Sequence, residues 1–256
     1  MKDKIIKKVK EDCVFFLLSI LAGLMIAIGG IAYLYITGFD SNNIWLKIAG
    51  GFAFTIGLTF IVLLEFKLFT GLNCDLLKTN YKDWYKLIVS FLGNCVGCWF
   101  GALLIFKTPI GNTVITRAIE LYTVKLDMDW WVVVLSGILC GVFITMAVLG
   151  NRACKGNKTA GIICVVFPIL IFVILGVEHS VANQVYFALA ILGGKPFVGQ
   201  IVLQTFLVMI GNIIGGILIP LVLWVKEKFI SKENTKNDIV EDNIKESNVN
   251  IDIKEK

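Results

Sequence analysis

The chain has 256 residues, of which 57% are hydrophobic, and its mean hydropathy is +0.82. This apolar excess excludes a soluble globular domain and indicates an all-α membrane protein with several spans in one bundle. The net charge of +5 is modest, and we expect a lipid bilayer rather than nucleic acid around the protein. The seven cysteines lie mostly in apolar runs, which predicts reduced thiols, with no disulfide framework, metal site or cofactor.

Six apolar stretches are long enough to cross a bilayer as helices, and they cover residues 13–36, 47–66, 84–106, 129–150, 160–192 and 197–225. The first of them is long enough to stay in the membrane after the basic N-terminus, so we expect no cleaved signal. The sequence thus predicts an N-terminal segment over 1–12, a transmembrane domain over 13–230 and a polar, unstructured tail over 231–256.

Basic residues are concentrated on alternate connections of this predicted topology. They cluster in the N-terminal segment, at 78–86, at 152–158 and in the C-terminal tail, whereas the other connections hold few. Because cytoplasmic loops carry an excess of Lys and Arg, we predict a multi-pass protein of the cell membrane with both termini in the cytoplasm.

His179 is the only histidine of the chain and lies in the polar run Glu178–Asn183, inside the fifth apolar stretch. An ionisable side chain at membrane depth is costly and usually lines a water-filled path or a functional site. The alternative is a packing histidine whose ring bonds a neighbouring helix. The grouping of Glu, His, Ser and Asn favours the path.

The two halves of the chain carry similar patterns. Gly93-Asn94 with Gly97 in the third stretch corresponds to Gly211-Asn212 with Gly215 in the sixth, and a polar interruption precedes each pair, at 65–70 and at 178–183. Three spans per half require an inverted 3+3 repeat, and broken helices at its matching positions, here the second and fifth, indicate a site at mid-membrane. The alternative is two unrelated helix contacts made by small residues.

Helical spacing places further residues near the two interruptions. Phe172 lies seven residues before His179 and Asn183 four after it, so the three share one helix face if the helix is continuous. Phe54 and Leu58 are four apart and form an apolar pair facing the same path.

The interruption of the second span runs into the loop Leu68-Phe69-Thr70-Gly71. Gly71 permits a backbone turn that exposes the Thr70 hydroxyl and nearby amides, and such donors suit an anion.

Taken together, these motifs resemble the formate/nitrite transporter family over residues 14–224. The resemblance rests on the order and spacing of Gly51–Leu58, Leu68–Gly71, Gly93-Asn94, Phe167-Pro168-Ile169, Glu178–Asn183 and Gly211-Asn212. It implies an aquaporin-like fold, a homopentamer with one pore in each protomer, and a central chamber in which His179 faces Thr70. By the same resemblance the hydrophobic constrictions are Phe54, Leu58, Leu68, Phe69 and Phe172. An anion in the chamber needs hydrogen-bond donors, and Thr70, His179 and Asn183 are the side chains available to bind it. Family members pass small anions of weak acids, among them formate, nitrite and hydrosulfide.

Two positions depart from the family pattern. Lys67 occupies a position that is usually acidic, and Gly161 replaces a lysine that often begins the fifth span, with Lys158 one turn earlier. The sequence is most similar to the hydrosulfide-channel branch, so we favour HS⁻ as the substrate. Glu65 and Glu178 are expected to cap or pair near the broken helices, with Lys67 pairing or reaching the interface.

Three alternatives stay open from the residues alone. A proton-coupled carrier of formate or nitrite fits the same motifs, because His179 is able to share a proton with the passing anion. Cys95-x-x-Cys98 has the spacing of thiol oxidoreductases, which suggests a membrane redox protein. A pore for uncharged solutes is a weaker alternative, because none of the four prolines lies in a water-channel motif. We predict no enzymatic activity.

Overall fold

A computed structural model describes the backbone of residues 2–254 and the side chains of residues 2–230. Within this range the chain forms nine α-helices joined by turns, without a β-strand, and two 3₁₀ turns at Asn73–Asp75 and Tyr81–Asp83. The α-helices are α1 (Lys2–Thr37), α2 (Ile44–Leu63), α3 (Phe69–Leu72), α4 (Tyr85–Phe106), α5 (Gly111–Leu126), α6 (Trp130–Ala153), α7 (Lys158–Leu175), α8 (Ser180–Leu192) and α9 (Gly199–Lys254).

Six of the described helices are long and apolar enough to cross a membrane, and they match the six predicted spans. They are α1, α2, α4, α6, α7 and the part of α9 up to Ile230. The prediction of a six-span, all-helical protein is thus confirmed. The connection after the third span contains the helix α5.

The chain divides into two units, Met1–Ile219 and Pro220–Lys256, and all contacts discussed below lie in the first. The second unit contains the rest of α9. The unstructured tail predicted over 231–256 falls where no side chain is described, and it stays a prediction.

The helices α2 and α7 end in the same way, through a residue in the left-handed conformation. Glu65 has φ 56° after α2, and the next N–H, of Phe66, donates to the Ile61 carbonyl at 3.0 Å. Gly176 has φ 67° after α7, and the Val177 N–H donates to the Phe172 carbonyl at 3.4 Å. These bonds satisfy carbonyls that would otherwise have no hydrogen-bond donor at a helix end. The second span therefore ends at Leu63, a few residues before the predicted end.

Glycines allow the long helices to pack backbone against backbone. A Cβ added at Gly97 of α4 would collide with the carbonyl of Ile20 in α1, and one added at Gly215 of α9 would collide with the carbonyl of Ile138 in α6. Small residues are common where helices approach closely in membranes. The predicted contact motifs around Asn94 and Asn212 therefore serve helix packing.

We expect Gly97→Ala to destabilise the protein by about 1–3 kcal/mol, because α1 and α4 must separate to admit the methyl group. The measurement is the thermal midpoint of the purified protein in detergent. Gly199→Ala is the matched control, since a Cβ there meets no atom within 4 Å. Equal midpoints for the two variants would contradict the close packing described here.

Candidate functional site

A buried amide, Asn94 of α4, fixes the start of the short helix α3. Its Oδ1 accepts from the Phe69 N–H at 2.8 Å, and its Nδ2 donates to the carbonyls of Lys67 at 2.9 Å and Ser19 at 2.7 Å. Asn94 has no exposed surface. The amide therefore satisfies backbone groups that the interruption between α2 and α3 would leave unpaired in a dry interior.

Asn212 of α9 makes the same set of bonds at the start of α8. Its Oδ1 accepts from the Ser180 N–H at 2.9 Å, and its Nδ2 donates to the carbonyls of Glu178 and Gly137, both at 2.9 Å. In each case the amide holds the first residue of the short helix and the carbonyl two residues before it. The corresponding motifs in the sequence thus make corresponding contacts.

Thr70 and His179 lie next to these anchored residues and contact each other. The distance from Thr70 Oγ1 to His179 Nε2 is 3.0 Å, and both residues are 1% exposed. His179 also caps α8, because its Nδ1 accepts the Ala182 N–H at 3.0 Å. A nitrogen that accepts a backbone N–H carries no proton, so the ring is neutral and its proton is on Nε2. The imidazole therefore presents an N–H donor toward Thr70.

Aromatic rings surround this pair on one side. Phe172 stacks on His179 with 5.8 Å between ring centroids, and Phe54 meets Phe172 edge-on at 5.6 Å. Phe69 instead packs against Phe91 of the helix α4, with 5.4 Å between the ring centroids. The five predicted constriction residues are all nearly completely buried, but Phe69 and Phe54 border neither of the two cavities described next.

Two cavities approach the Thr70–His179 pair. One, here called the Arg152 cavity, has a volume of about 380 Å³ and reaches Leu58 and Leu68. The other, called the Lys125 cavity, has about 60 Å³ and is bordered by Phe172 and His179. Thr70 borders neither cavity. Both cavities therefore end at predicted site residues.

Lys125, which borders the Lys125 cavity, forms a buried ion pair that the sequence did not reveal. Lys125 Nζ donates to Glu178 Oε1 at 2.6 Å, and Asn183 Nδ2 donates to Glu178 Oε2 at 2.6 Å. The Gln204 side chain binds the Lys125 carbonyl at 2.6 Å, and the Glu178 N–H donates to the Ser136 hydroxyl at 2.9 Å. Lys125 and Glu178 are 53 positions apart in the chain, so no local pattern links them.

The predicted electrostatic residues divide between the Arg152 cavity and the surface. Arg152 forms a two-bond ion pair with Asp75 at 2.7 and 2.8 Å. Glu65 and Lys67 border the same cavity, and the described ion pairs include neither of them. Lys158 is exposed at the start of α7 and borders neither cavity. Two basic side chains border this cavity. Within the described part of the chain, Arg152 has a carboxylate partner and Lys67 has none.

The thiols of the Cys-x-x-Cys motif are not arranged as a redox centre. Cys98 is completely buried, and its sulfur contacts the carbonyls of Gly23 at 3.4 Å and Val181 at 3.5 Å. A reactive thiol needs an accessible and electropositive setting. The motif therefore serves helix packing here.

The fold and the site together define a multi-pass membrane protein whose two short helices meet at a buried pair of hydrogen-bonding side chains. A family model for formate/nitrite transporters matches residues 2–225. The chain belongs to the formate/nitrite transporter family, whose members are channels or transporters and not enzymes.

Individual relatives support this assignment. A formate-nitrite transporter of Entamoeba histolytica is 33% identical over 228 residues, which cover 82% of this chain and 63% of that protein. A structure described as a pentameric formate channel with formate bound superimposes with a TM-score of 0.72 at 22% identity, covering 86% of this chain and 98% of that one. An ion channel of the same family gives a TM-score of 0.73 at 24% identity, covering 86% and 92%.

We expect Lys125→Met to destabilise the protein by about 3–5 kcal/mol, because it leaves the buried Glu178 carboxylate without its cation. The double variant Lys125→Met/Glu178→Gln should regain most of the loss, since it removes both charges. Thermal unfolding in detergent measures each value.

The matched control for this pair is Lys86→Met, which breaks the half-exposed Lys86–Asp83 pair of 3.3 Å. Solvent screening limits its expected effect to about 1 kcal/mol or less. A double variant as unstable as Lys125→Met alone would contradict the pairing.

Proposed function

We propose that the protein is a channel for small monovalent anions of weak acids, with hydrosulfide as the favoured substrate and formate or nitrite as further ones. Each protomer contains one pore, which runs from the Arg152 cavity to the Lys125 cavity through the Thr70–His179 pair. The observation that carries this proposal is the 3.0 Å contact between Thr70 Oγ1 and His179 Nε2. His179 borders the Lys125 cavity, and the near neighbours of Thr70 in the chain, Leu68 and Gly71, border the Arg152 cavity.

The pair supplies the donors that an anion needs in an apolar interior. An anion without hydrogen-bond partners is strongly disfavoured away from water. The Nε2–H of His179 and the Thr70 hydroxyl are neutral donors, and an anion between them replaces their mutual hydrogen bond with two charge-assisted ones. His179 also caps the 13-residue helix α8, whose N-terminal end carries a partial positive charge.

The same geometry favours a channel over a proton-coupled carrier. Loading a second proton on His179 would place an Nδ1–H opposite the Ala182 N–H, which now donates to Nδ1 at 3.0 Å. Two donors would then face each other in a buried site, at a cost of a lost hydrogen bond. Giving up the Nε2 proton would leave an imidazolate anion beside the anionic substrate. We infer that His179 donates a hydrogen bond without transferring its proton.

Several features support small anions as the substrates. The Lys125 cavity of about 60 Å³ fits only a few heavy atoms. The names of the relatives include formate and nitrite. We favour hydrosulfide because the sequence motifs resemble that branch of the family, and because Lys67 and Gly161 depart from the family pattern. Hydrosulfide has a single heavy atom, so it needs fewer aligned hydrogen-bond donors than a carboxylate needs.

We further propose the inverted 3+3 repeat with broken second and fifth helices, in an aquaporin-like arrangement and a homopentamer in the cell membrane, with cytoplasmic termini. The matching bonds of Asn94 and Asn212 support the repeat. The pentamer is supported by the description of a structural relative. The distribution of basic residues supports the orientation, which makes the Arg152 cavity the cytoplasmic mouth.

Thr70→Val is expected to lower hydrosulfide, formate and nitrite flux about 10- to 100-fold, because one hydrogen bond to a charged group contributes about 1.5–3 kcal/mol. Thr70→Ser keeps the hydroxyl and should stay close to the wild-type flux. The measurement is anion uptake into proteoliposomes, with chloride compared in the same preparation.

His179→Asn provides a second test at the same position, because asparagine still caps α8 but lacks a donor at the reach of Nε2. Its flux should fall by a similar factor. Ready passage of uncharged solutes together with no passage of any small anion, in the wild-type protein, would overturn the class of function proposed here.

Lys67→Glu is expected to reduce anion flux from the Arg152 side by about tenfold at low ionic strength, because it replaces the cation beside Glu65 with a second carboxylate and makes the lining of that mouth net negative. The difference should shrink at high salt, where the Debye length is about 3 Å. Lys158→Glu is the matched control and should behave as wild type, since Lys158 is exposed and borders neither cavity. A reduction for Lys67→Glu that does not depend on salt would contradict an electrostatic role.

A further inference from the structure

Two cysteines that no sequence motif links lie in contact where α6 meets α7. The sulfurs of Cys154 and Cys164 are 3.8 Å apart, and both residues are partly accessible. Within the described part of the chain, this is the one pair of cysteines whose sulfurs are close enough to interact. It is separate from Cys95 and Cys98, which belong to α4.

The close approach has a structural cause in Gly150. A Cβ on Gly150 would lie 3.0 Å from the Cβ of Cys164, a tight contact, so glycine there lets the backbone of α6 pass close to α7. Cys154 follows Gly150 by one helical turn on the same face, and its Sγ contacts the Gly150 carbonyl at 3.2 Å. The two thiols are therefore held together by helix packing and not by chance flexibility.

The setting of the pair suits thiol chemistry. Cys154 ends α6 and is followed by the turn containing Lys155 and Gly156, which have φ 44° and 89°. Arg152, Lys155 and Lys158 flank Cys154 in the chain and are exposed. Partial exposure leaves Cys154 accessible to a small reagent. Desolvation and the adjacent Cys164 thiol raise the pKa of Cys154, so the reactive thiolate forms increasingly as the pH rises.

We propose that Cys154 and Cys164 form an oxidisable dithiol whose reaction partner is a low-molecular-weight disulfide. The Cys154 thiolate attacks one sulfur of that disulfide, forms a mixed disulfide and releases one thiolate. The Cys164 thiolate then attacks Cys154 Sγ, forms the Cys154–Cys164 bond and releases the second thiolate. In the net reaction the two cysteine thiols give two electrons and two protons to the small disulfide, which becomes two thiols.

The geometry favours the second step over a stable mixed disulfide. A disulfide bond needs sulfurs about 2.05 Å apart. The two Sγ atoms are already in contact at 3.8 Å, so a small side-chain rotation and movement of the turn brings them within bonding distance. The pair lies at the last turn of α6, whose residues Asn151 and Arg152 border the Arg152 cavity. The inference does not rest on the proposed anion transport.

The test treats the purified full-length protein with oxidised glutathione, blocks the remaining thiols by alkylation and maps the cysteines by peptide mass spectrometry. We expect a peptide pair linked through Cys154 and Cys164, which dithiothreitol separates. In Cys164→Ser the reaction should stop at a glutathione adduct on Cys154 that persists. Cys13→Ser, which removes an exposed cysteine on α1, is the matched control and should still form the link.

Two results would overturn the proposal, and both can be read from the wild-type protein alone. The first is a persistent glutathione adduct on Cys154 in place of the link, as in Cys164→Ser. The second is a pair that stays fully alkylatable at glutathione concentrations that modify Cys13.

Discussion

The structure depends on the two side-chain amides that satisfy the interrupted backbone inside the membrane domain. A helix that stops in an apolar interior leaves N–H and C=O groups unpaired, at a cost of several kcal/mol for each group. Asn94 and Asn212 each pair one N–H and one carbonyl of an interruption and hold them to a backbone carbonyl of a neighbouring helix. Because Thr70 follows Phe69 and His179 precedes Ser180, the position of both site residues is set by these two amides.

The charges of the interior are arranged so that the site itself carries no net charge. Glu178, next to His179, is neutralised by Lys125 at 2.6 Å and also bound by Asn183. A free carboxylate there would repel an anion from the Lys125 cavity, and a free lysine would trap it. The paired state leaves hydrogen-bond donors as the main attraction, which suits a site that must bind weakly enough to release. Asn183, predicted to contact the substrate, is occupied with Glu178 through its Nδ2.

The sequence was informative wherever the signal was local. Hydropathy located the six spans, the paired glycine-asparagine motifs pointed to the anchoring amides, and Gly176 provides a left-handed helix end that glycine readily adopts. Glu65 adopts the same conformation without such a signal, so the predicted second span extends past the observed end of the helix. Phe69 faces Phe91 of α4 because α3 is not continuous with α2, and helical spacing could not foresee that direction.

The sequence does not predict contacts between residues far apart in the chain, because local patterns carry no information about them. Lys125 looked like an ordinary basic residue of a connection, because only the folded chain brings it to Glu178. The pair Cys154 and Cys164 fits no thiol motif, since its contact depends on two helices passing at Gly150. In contrast, Cys95-x-x-Cys98 fits a motif, but its Cys98 thiol is buried against backbone carbonyls.

The hydrogen bond from Ala182 to His179 connects the fold to the chemistry of the site. It requires an unprotonated Nδ1, and this requirement comes from capping α8, a structural need that exists whether or not an anion is present. The structure thereby fixes which ring nitrogen carries the proton, and directs that proton toward Thr70. A helix cap thus makes the sole histidine a constant hydrogen-bond donor, and in the proposed function this is why an anion that meets it keeps its charge.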